Sequence, residues 1–109
     1  MDGFNEALLE AVDEGLLALG HSVRAAIYRH LKEKYAIERS EIPSKVEDFH
    51  EALEAIFGAG AGVLERVTAK RLYARLGLNF EPREGWSLID YVKEAKKRVE
   101  GARWRRTRF

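Results

Sequence analysis

Cationic and aromatic side chains near the C-terminus have the clearest potential for chemistry in this sequence. Guanidinium groups pair with phosphates, and aromatic rings offer stacking faces for unpaired bases. This combination suits single-stranded nucleic acid or RNA. The candidate nucleic-acid-binding residues are Lys93, Lys96, Lys97, Arg98, Arg103, Trp104, Arg105, Arg106 and Arg108, and Phe109 adds a second aromatic face.

The same segment also has a purely structural interpretation. Residues 91–109 contain eight Lys and Arg and two Glu, a net charge of +6, whereas the preceding ninety residues contain eleven and sixteen, a net charge of −5. Cations are favourable at the negative end of a helix dipole, and a basic tail can fold against acidic helix faces. Because arginine-rich tails are common and carry little specificity, we favour this interpretation over nucleic-acid binding.

A glycine-rich run, Phe57-Gly58-Ala59-Gly60-Ala61-Gly62-Val63, is the second candidate for binding. Glycines at the start of a helix can expose backbone N–H groups to a phosphate. The run lacks a preceding strand and a following Lys-Ser or Lys-Thr pair, which phosphate loops require. It therefore predicts a turn in which small residues let two helices approach closely.

No metal, cofactor or catalytic site is predicted. His21, His30 and His50 are separated by nine and twenty residues, a spacing that fits no compact zinc pattern. We expect His30 and His50 at the edge of the core and His21 at a helix junction. The carboxylates around 10–14 and 47–54 fall on polar helix faces, and no serine has a recognisable base beside it. The protein is therefore predicted not to be an enzyme.

The composition is that of one small folded domain. The chain has 109 residues, of which 46% are hydrophobic, enough to form a core of its own. It contains no cysteine, no apolar run of the roughly 18–20 residues that span a bilayer and no signal-peptide pattern, so we expect a cytoplasmic protein. Abundant Glu, Lys and Arg without glutamine favour a thermophilic source.

Apolar residues at helical spacing predict five helices in a compact all-α bundle, mainly with antiparallel neighbours and with little or no strand. Two helices precede a connection at 36–45 that Ile37 and Ile42 pin to the core. The third and fourth follow, with the fourth at the centre, and a loop at 78–86 leads to the fifth. Their predicted apolar faces are Phe4, Leu8, Ala11, Val12, Gly15 and Leu19; Val23, Ala26, Ile27, Leu31 and Tyr35; Val46, Phe49, Leu53, Ile56 and Phe57; Leu64, Val67, Ala69, Leu72, Tyr73 and Leu76; and Leu88, Tyr91, Val92, Ala95 and Val99.

The helix ends also carry signals. Asp2 can cap the first helix, Gly20 and Gly77 can end the first and fourth, and Ser87 with Asp90 resembles a capping arrangement before the fifth. We expect one domain over residues 1–102, followed by a basic aromatic tail over 103–109.

Several segments resemble the small archaeal helical family called Nitrosopumilus output domain, fifth type, over about residues 5–100. They are Leu19-Gly20-His21-Ser22-Val23-Arg24-Ala25-Ala26-Ile27-Tyr28-Arg29-His30-Leu31, Tyr35-Ala36-Ile37, Glu41-Ile42-Pro43, Phe49, Ala52-Leu53, Ile56-Phe57-Gly58, Leu72-Tyr73 and Leu76-Gly77. The resemblance implies an all-helical output or interaction module in archaeal signalling, and it supplies no catalytic residue.

Two functions remain from the sequence. The first is a non-enzymatic protein-interaction or signalling-output domain with an unidentified protein partner, a homodimer being one option. The alternative is nucleic-acid binding through the basic C-terminal helix and tail. No membrane partner is expected.

Overall fold

The computed structural model describes the backbone of residues 2–107 and the side-chain environments of residues 3–101. This part of the chain forms five α-helices and no strand, which confirms the all-α bundle. The helices are α1 (Asp2–Leu17), α2 (His21–Tyr35), α3 (Val46–Phe57), α4 (Ala61–Leu76) and α5 (Leu88–Thr107). Two short 3₁₀ helices, Arg39–Ser44 and Gly58–Gly60, precede α3 and α4. None of the helices in this part of the chain is both long and apolar enough to cross a membrane.

Helix α4 lies at the centre of the bundle, as predicted. It packs most extensively on α1 and also contacts α3 and α5. Leu72 is completely buried, and the buried Tyr73 donates a hydrogen bond of 2.8 Å from its hydroxyl to the Tyr91 carbonyl oxygen on α5. The apolar core thus extends from α1 through α4 to α5.

The close packing of α1 on α4 depends on Gly15. A Cβ at this position would lie 2.5 Å from Thr68 Oγ1. Thr68 is buried on α4, and its hydroxyl donates to the Leu64 carbonyl oxygen at 2.9 Å. The absence of a side chain at Gly15 therefore lets the two helices meet at this level.

The connections before α3 form as predicted, because apolar residues pin them. Ile37 and Ile42 are buried, and Glu38 and Glu41 form a capping box at the 3₁₀ helix. Ala36, which ends α2, has a φ of 56°, a left-handed conformation that disfavours a Cβ.

An aromatic cluster anchors the loop between α4 and α5. Tyr91 lies 5.4 Å from Phe80 and 5.2 Å from Trp86 between ring centroids, and its hydroxyl accepts the Arg83 backbone N–H at 2.9 Å. Ser87 N–H donates to Asp90 Oδ2 at 2.9 Å, so the predicted cap at the start of α5 is present.

Four expectations about the first two helices were wrong. Leu19 and Val23 are 44% and 39% exposed, Ala26 is exposed, and His30 lies in solvent with its ring against Tyr35. The physical reason is that α2 packs chiefly on α1, so only a narrow strip of it is covered. Within α2 this strip contains the buried Ile27 and Leu31.

Helix α5 continues through Thr107, so the backbone of 103–107 extends the helix beyond the predicted boundary at 102. Arg108 and Phe109 lie outside the described residues.

Candidate functional site

An open apolar groove lies where the end of α1, the end of α3 and the first turns of α4 meet. Its volume is about 390 Å³. Among the residues whose side chains the structure describes, none of those that form its walls is charged; they are Gly15, Ala18, Leu19, Phe57, Gly60, Val63, Leu64 and Val67.

Two aliphatic side chains of this groove are unusually exposed. Val63 is 63% exposed and Leu19 is 44% exposed. Val63 lies on the side of α4 opposite the buried face, and Leu19 lies two residues beyond the end of α1. Scattered exposed apolar residues are normal, but clustered ones mark interaction sites. The groove is therefore a candidate interaction site.

The α4 side of the groove is bordered by positive charge. Arg66, Lys70 and Arg71 are all exposed on α4, within one helical turn of Val63 or Val67. The only acidic residue of α4, Glu65, is 2% exposed. The charged side chains on the solvent-facing side of α4 are therefore all cationic.

The acidic residues of α1 near the groove are held by arginines. Arg75 on α4 pairs through Nη1 with Glu10 Oε1 at 2.5 Å and through Nη2 with Glu14. This bridge joins α1 to α4, and the single guanidinium offsets one of the two carboxylate charges.

A third α1 carboxylate, Asp13, joins α1 to α2 and to the 3₁₀ helix before α3. Arg39 donates to it from Nε at 2.9 Å and from Nη2 at 2.6 Å, and the Tyr28 hydroxyl also donates to it. Burial raises the pKa of Asp13, but the hydrogen bonds from Arg39 and Tyr28 outweigh it and hold the pKa below its ordinary value. Burial, followed by the bond to Asp13, raises the pKa of the Tyr28 phenol.

The buried Glu65 connects three helices on the other side of α4. Its Oε1 accepts the Leu88 backbone N–H at 2.9 Å, and its Oε2 lies 2.6 Å from His50 Nδ1. Because a carboxylate only accepts, the histidine proton is on Nδ1. His50 Nε2 lies 3.5 Å from Glu54 Oε1. The arrangement fixes α3 and the start of α5 to α4.

The basic residues singled out from the sequence lie along α5, and the body of the domain engages some of them. Lys93, Lys96 and Lys97 are exposed, and Lys96 Nζ lies 5.6 Å from the centre of the Phe4 ring. Arg98 donates to Glu94 Oε2 at 2.9 Å and to the Asn79 carbonyl oxygen at 3.0 Å. Of the remaining candidates, Arg103, Trp104, Arg105 and Arg106 lie on the last turns of α5, and Arg108 lies outside the described residues.

The glycine-rich run and the histidines, the other candidates from the sequence, can also be located in the fold. The glycine-rich run forms the 3₁₀ helix Gly58–Gly60 and the start of α4, as expected of a turn. A Cβ at Gly58 or Gly62 would meet no atom within 4 Å, so these two glycines are not needed for a close approach of the helices. His50 borders the core and His21 begins α2, as expected. Among the residues that the structure describes, no group of three or more His, Asp or Glu side chains could hold a metal ion.

Sequence reasoning missed both the groove and the role of Glu65, although a signal for each was present. Ala61, Glu65, Thr68 and Leu72 recur at helical spacing along α4, and all four are buried. A glutamate in such a row predicts a buried, paired carboxylate. Val63 falls on the opposite side of the same helix, where an aliphatic residue has no partner within the domain.

Comparison of the chain with protein-family models, with curated proteins and with solved structures finds no match in any of the three. The archaeal family suggested by the sequence therefore stays a prediction.

Proposed function

We propose that this domain is a non-enzymatic protein-interaction module that binds another protein through the groove between α1 and α4. The observation that supports the proposal is an open groove with uncharged, apolar walls and two exposed aliphatic side chains, Val63 and Leu19. Covering these side chains in a complex would contribute roughly 25 cal/mol per Å² of apolar surface removed from water.

The mode of binding follows from the shape of the site. Small-molecule sites combine apolar walls with a few convergent polar groups that orient the ligand. The groove is apolar throughout and open along a helix pair, which suits the apolar face of a protein segment. A role in archaeal signalling output accompanies this proposal as a prediction from the family resemblance. Cytoplasmic residence and a thermophilic source are further predictions, from the composition of the chain.

A photo-crosslinking experiment tests the proposal. A photoreactive phenylalanine analogue replaces Val63 in one sample and the exposed Ser40, which lies outside the groove, in a matched control. In extract of the source cells, we expect one dominant protein adduct at position 63 that is absent at position 40. Adding Leu19→Asp should remove the adduct, because a carboxylate in the groove loses its hydration when a partner covers it. Equal labelling at both positions, or labelling unaffected by Leu19→Asp, would contradict the proposal.

A second candidate function is nucleic-acid binding through α5. The observation that favours it is the length of the helix, which runs to Thr107 and carries the exposed Lys93, Lys96 and Lys97 on one continuous element. Phosphate contacts make affinity fall as salt rises. We expect such binding to single-stranded RNA or duplex DNA to weaken between two salt concentrations and to be lost when the three lysines become glutamate. Affinity that salt does not change would refute the phosphate interpretation.

A further inference from the structure

We infer that the occupant of the groove is an amphipathic helix of another protein that carries acidic residues beside its apolar ones. This inference rests on the proposed function and goes beyond it by naming the chemistry of the partner.

The apolar part of the inference comes from the geometry of the groove. Val63 and Val67 lie one helical turn apart on α4, and Leu19 lies on the opposite wall with Ala18. The site therefore extends over about one turn of α4 and is apolar on both sides. An amphipathic helix fills such a groove with residues at positions i, i+3 or i+4, and i+7.

The acidic part comes from the charge beside the groove. Arg66, Lys70 and Arg71 form no ion pair with any of the residues whose side chains the structure describes. These three cations adjoin Val63 and Val67 on α4. A bound helix with carboxylates along one edge would pair with them.

The acidic residues of this domain that lie closest in sequence to the groove lining already have cationic or histidine partners. Glu14, next to Gly15 on α1, is bound by Arg75. Glu65, next to Leu64 on α4, is buried and lies 2.6 Å from His50 Nδ1. Among the residues whose side chains the structure describes, no carboxylate pairs with the cations at the α4 border.

A second copy of this chain fits the groove poorly. Its acidic helices, α1 and α3, bury their apolar faces in their own core. The exposed apolar residues Val23 and Ala26 of α2 lie beside Arg24 and Arg29. Docking this side of α2 into the groove would therefore place cations against the cations of α4. Like charges facing each other oppose association. A separate acidic helix meets both requirements of the site.

A peptide-display selection tests this inference directly. The probe is a library of random 16-residue peptides, selected on the full chain and counter-selected on the Val63→Asp variant. We expect the recovered sequences to share apolar residues at helical spacing and a net negative charge. One recovered peptide is then titrated by fluorescence anisotropy at low and at physiological salt.

Three variants separate the apolar from the charged contribution. Val63→Asp should weaken binding by about tenfold or more, since an interface anchor commonly contributes over 1.4 kcal/mol, the equivalent of tenfold. The double variant Arg66→Glu with Lys70→Glu should weaken binding about three- to tenfold at low salt and less at high salt. Arg29→Glu with Lys32→Glu on α2 makes the same change in net charge away from the groove and should leave the affinity within about twofold.

The outcomes distinguish this inference from the function on which it rests. Recovered peptides that are apolar but neutral or basic would overturn the acidic helix while keeping the groove as a protein-binding site. Failure to recover any peptide, with the position-63 adduct still formed in extract, would overturn the helical occupant alone. A concentration-dependent dimer that Val63→Asp abolishes would assign the groove to a second copy and refute the inference.

Discussion

Replacement of Glu65 tests whether the buried carboxylate holds three helices together. Glu65 is 2% exposed and receives the Leu88 N–H at 2.9 Å and the His50 ring nitrogen at 2.6 Å. Glu65→Leu keeps a similar volume but removes both acceptors. It leaves a buried backbone N–H at the first residue of α5 and an unpaired ring N–H on α3.

The expected cost follows from these two losses. An unsatisfied buried donor costs about 1–3 kcal/mol, and His50 loses less because water can reach its partly exposed ring. Part of this free-energy cost is offset, because the apolar leucine side chain packs in an apolar site. We therefore expect Glu65→Leu to lower the free energy of unfolding by about 2–4 kcal/mol, a large share of the roughly 5–15 kcal/mol typical of a domain.

Urea unfolding followed by circular dichroism at neutral pH measures this change. With a slope of about 1–3 kcal/mol per molar urea, the midpoint should fall by about 1–3 M. His50→Leu alone should also destabilise, since it leaves Glu65 without one of its partners, and the double variant should cost less than the sum of the single changes. Glu51→Leu on the exposed side of α3 is the matched control and should stay within about 0.5 kcal/mol of the parent. Additive effects, or a Glu65→Leu midpoint equal to that of the control, would refute the proposed linkage.

The remaining predictions concern stability at three other positions. Gly15→Ala should stabilise α1 by up to about 1 kcal/mol in a Thr68→Ala background. It should not stabilise the parent, where the new Cβ would lie 2.5 Å from Thr68 Oγ1. Equal effects in both backgrounds in urea melts would contradict the close contact. The pKa of Asp13 is below its ordinary value of 3.8, so the ionised carboxylate stabilises the fold fully above that pH and loses this effect as pH falls. The difference in unfolding free energy between the parent and Asp13→Asn should therefore narrow below about pH 4. A difference that does not depend on pH would contradict this prediction. Ala36→Gly should raise the free energy of unfolding by about 1 kcal/mol, because φ is 56° at this position, and a lower melting temperature would disprove the strain.

The helices could be predicted from the sequence because hydrophobic period and end signals agree. The predicted third and fourth helices match α3 and α4 at both ends, where Pro43 and a run of glycines interrupt the pattern. Gly77 has a φ of 71° at the end of α4, as expected for a residue that stops a helix. These signals are local, so one sequence suffices to read them.

Burial along α2 could be predicted only in part, because the spacing of apolar residues does not say how many neighbours a helix has. Val23 and Ile27 lie one turn apart on the same predicted stripe, yet one is 39% exposed and the other 8%. Which of them is covered depends on the position of α1, a tertiary fact. The groove residues Leu19 and Val63 escaped prediction for the same reason, since they become neighbours only when α1 and α4 pack together.

The position of the groove separates the residues proposed for binding from the residues that hold the fold. Gly15 lines the groove and lies close to Thr68 of α4, so the packing of α1 on α4 that holds the domain together also forms the groove. The inner side of α4 holds the core through Leu72 and Glu65, whereas the groove-facing side carries Val63 and exposed cations that contribute little to stability. Under the proposed function, substitution on the outer side would change which protein binds, whereas substitution on the inner side would change whether the domain folds.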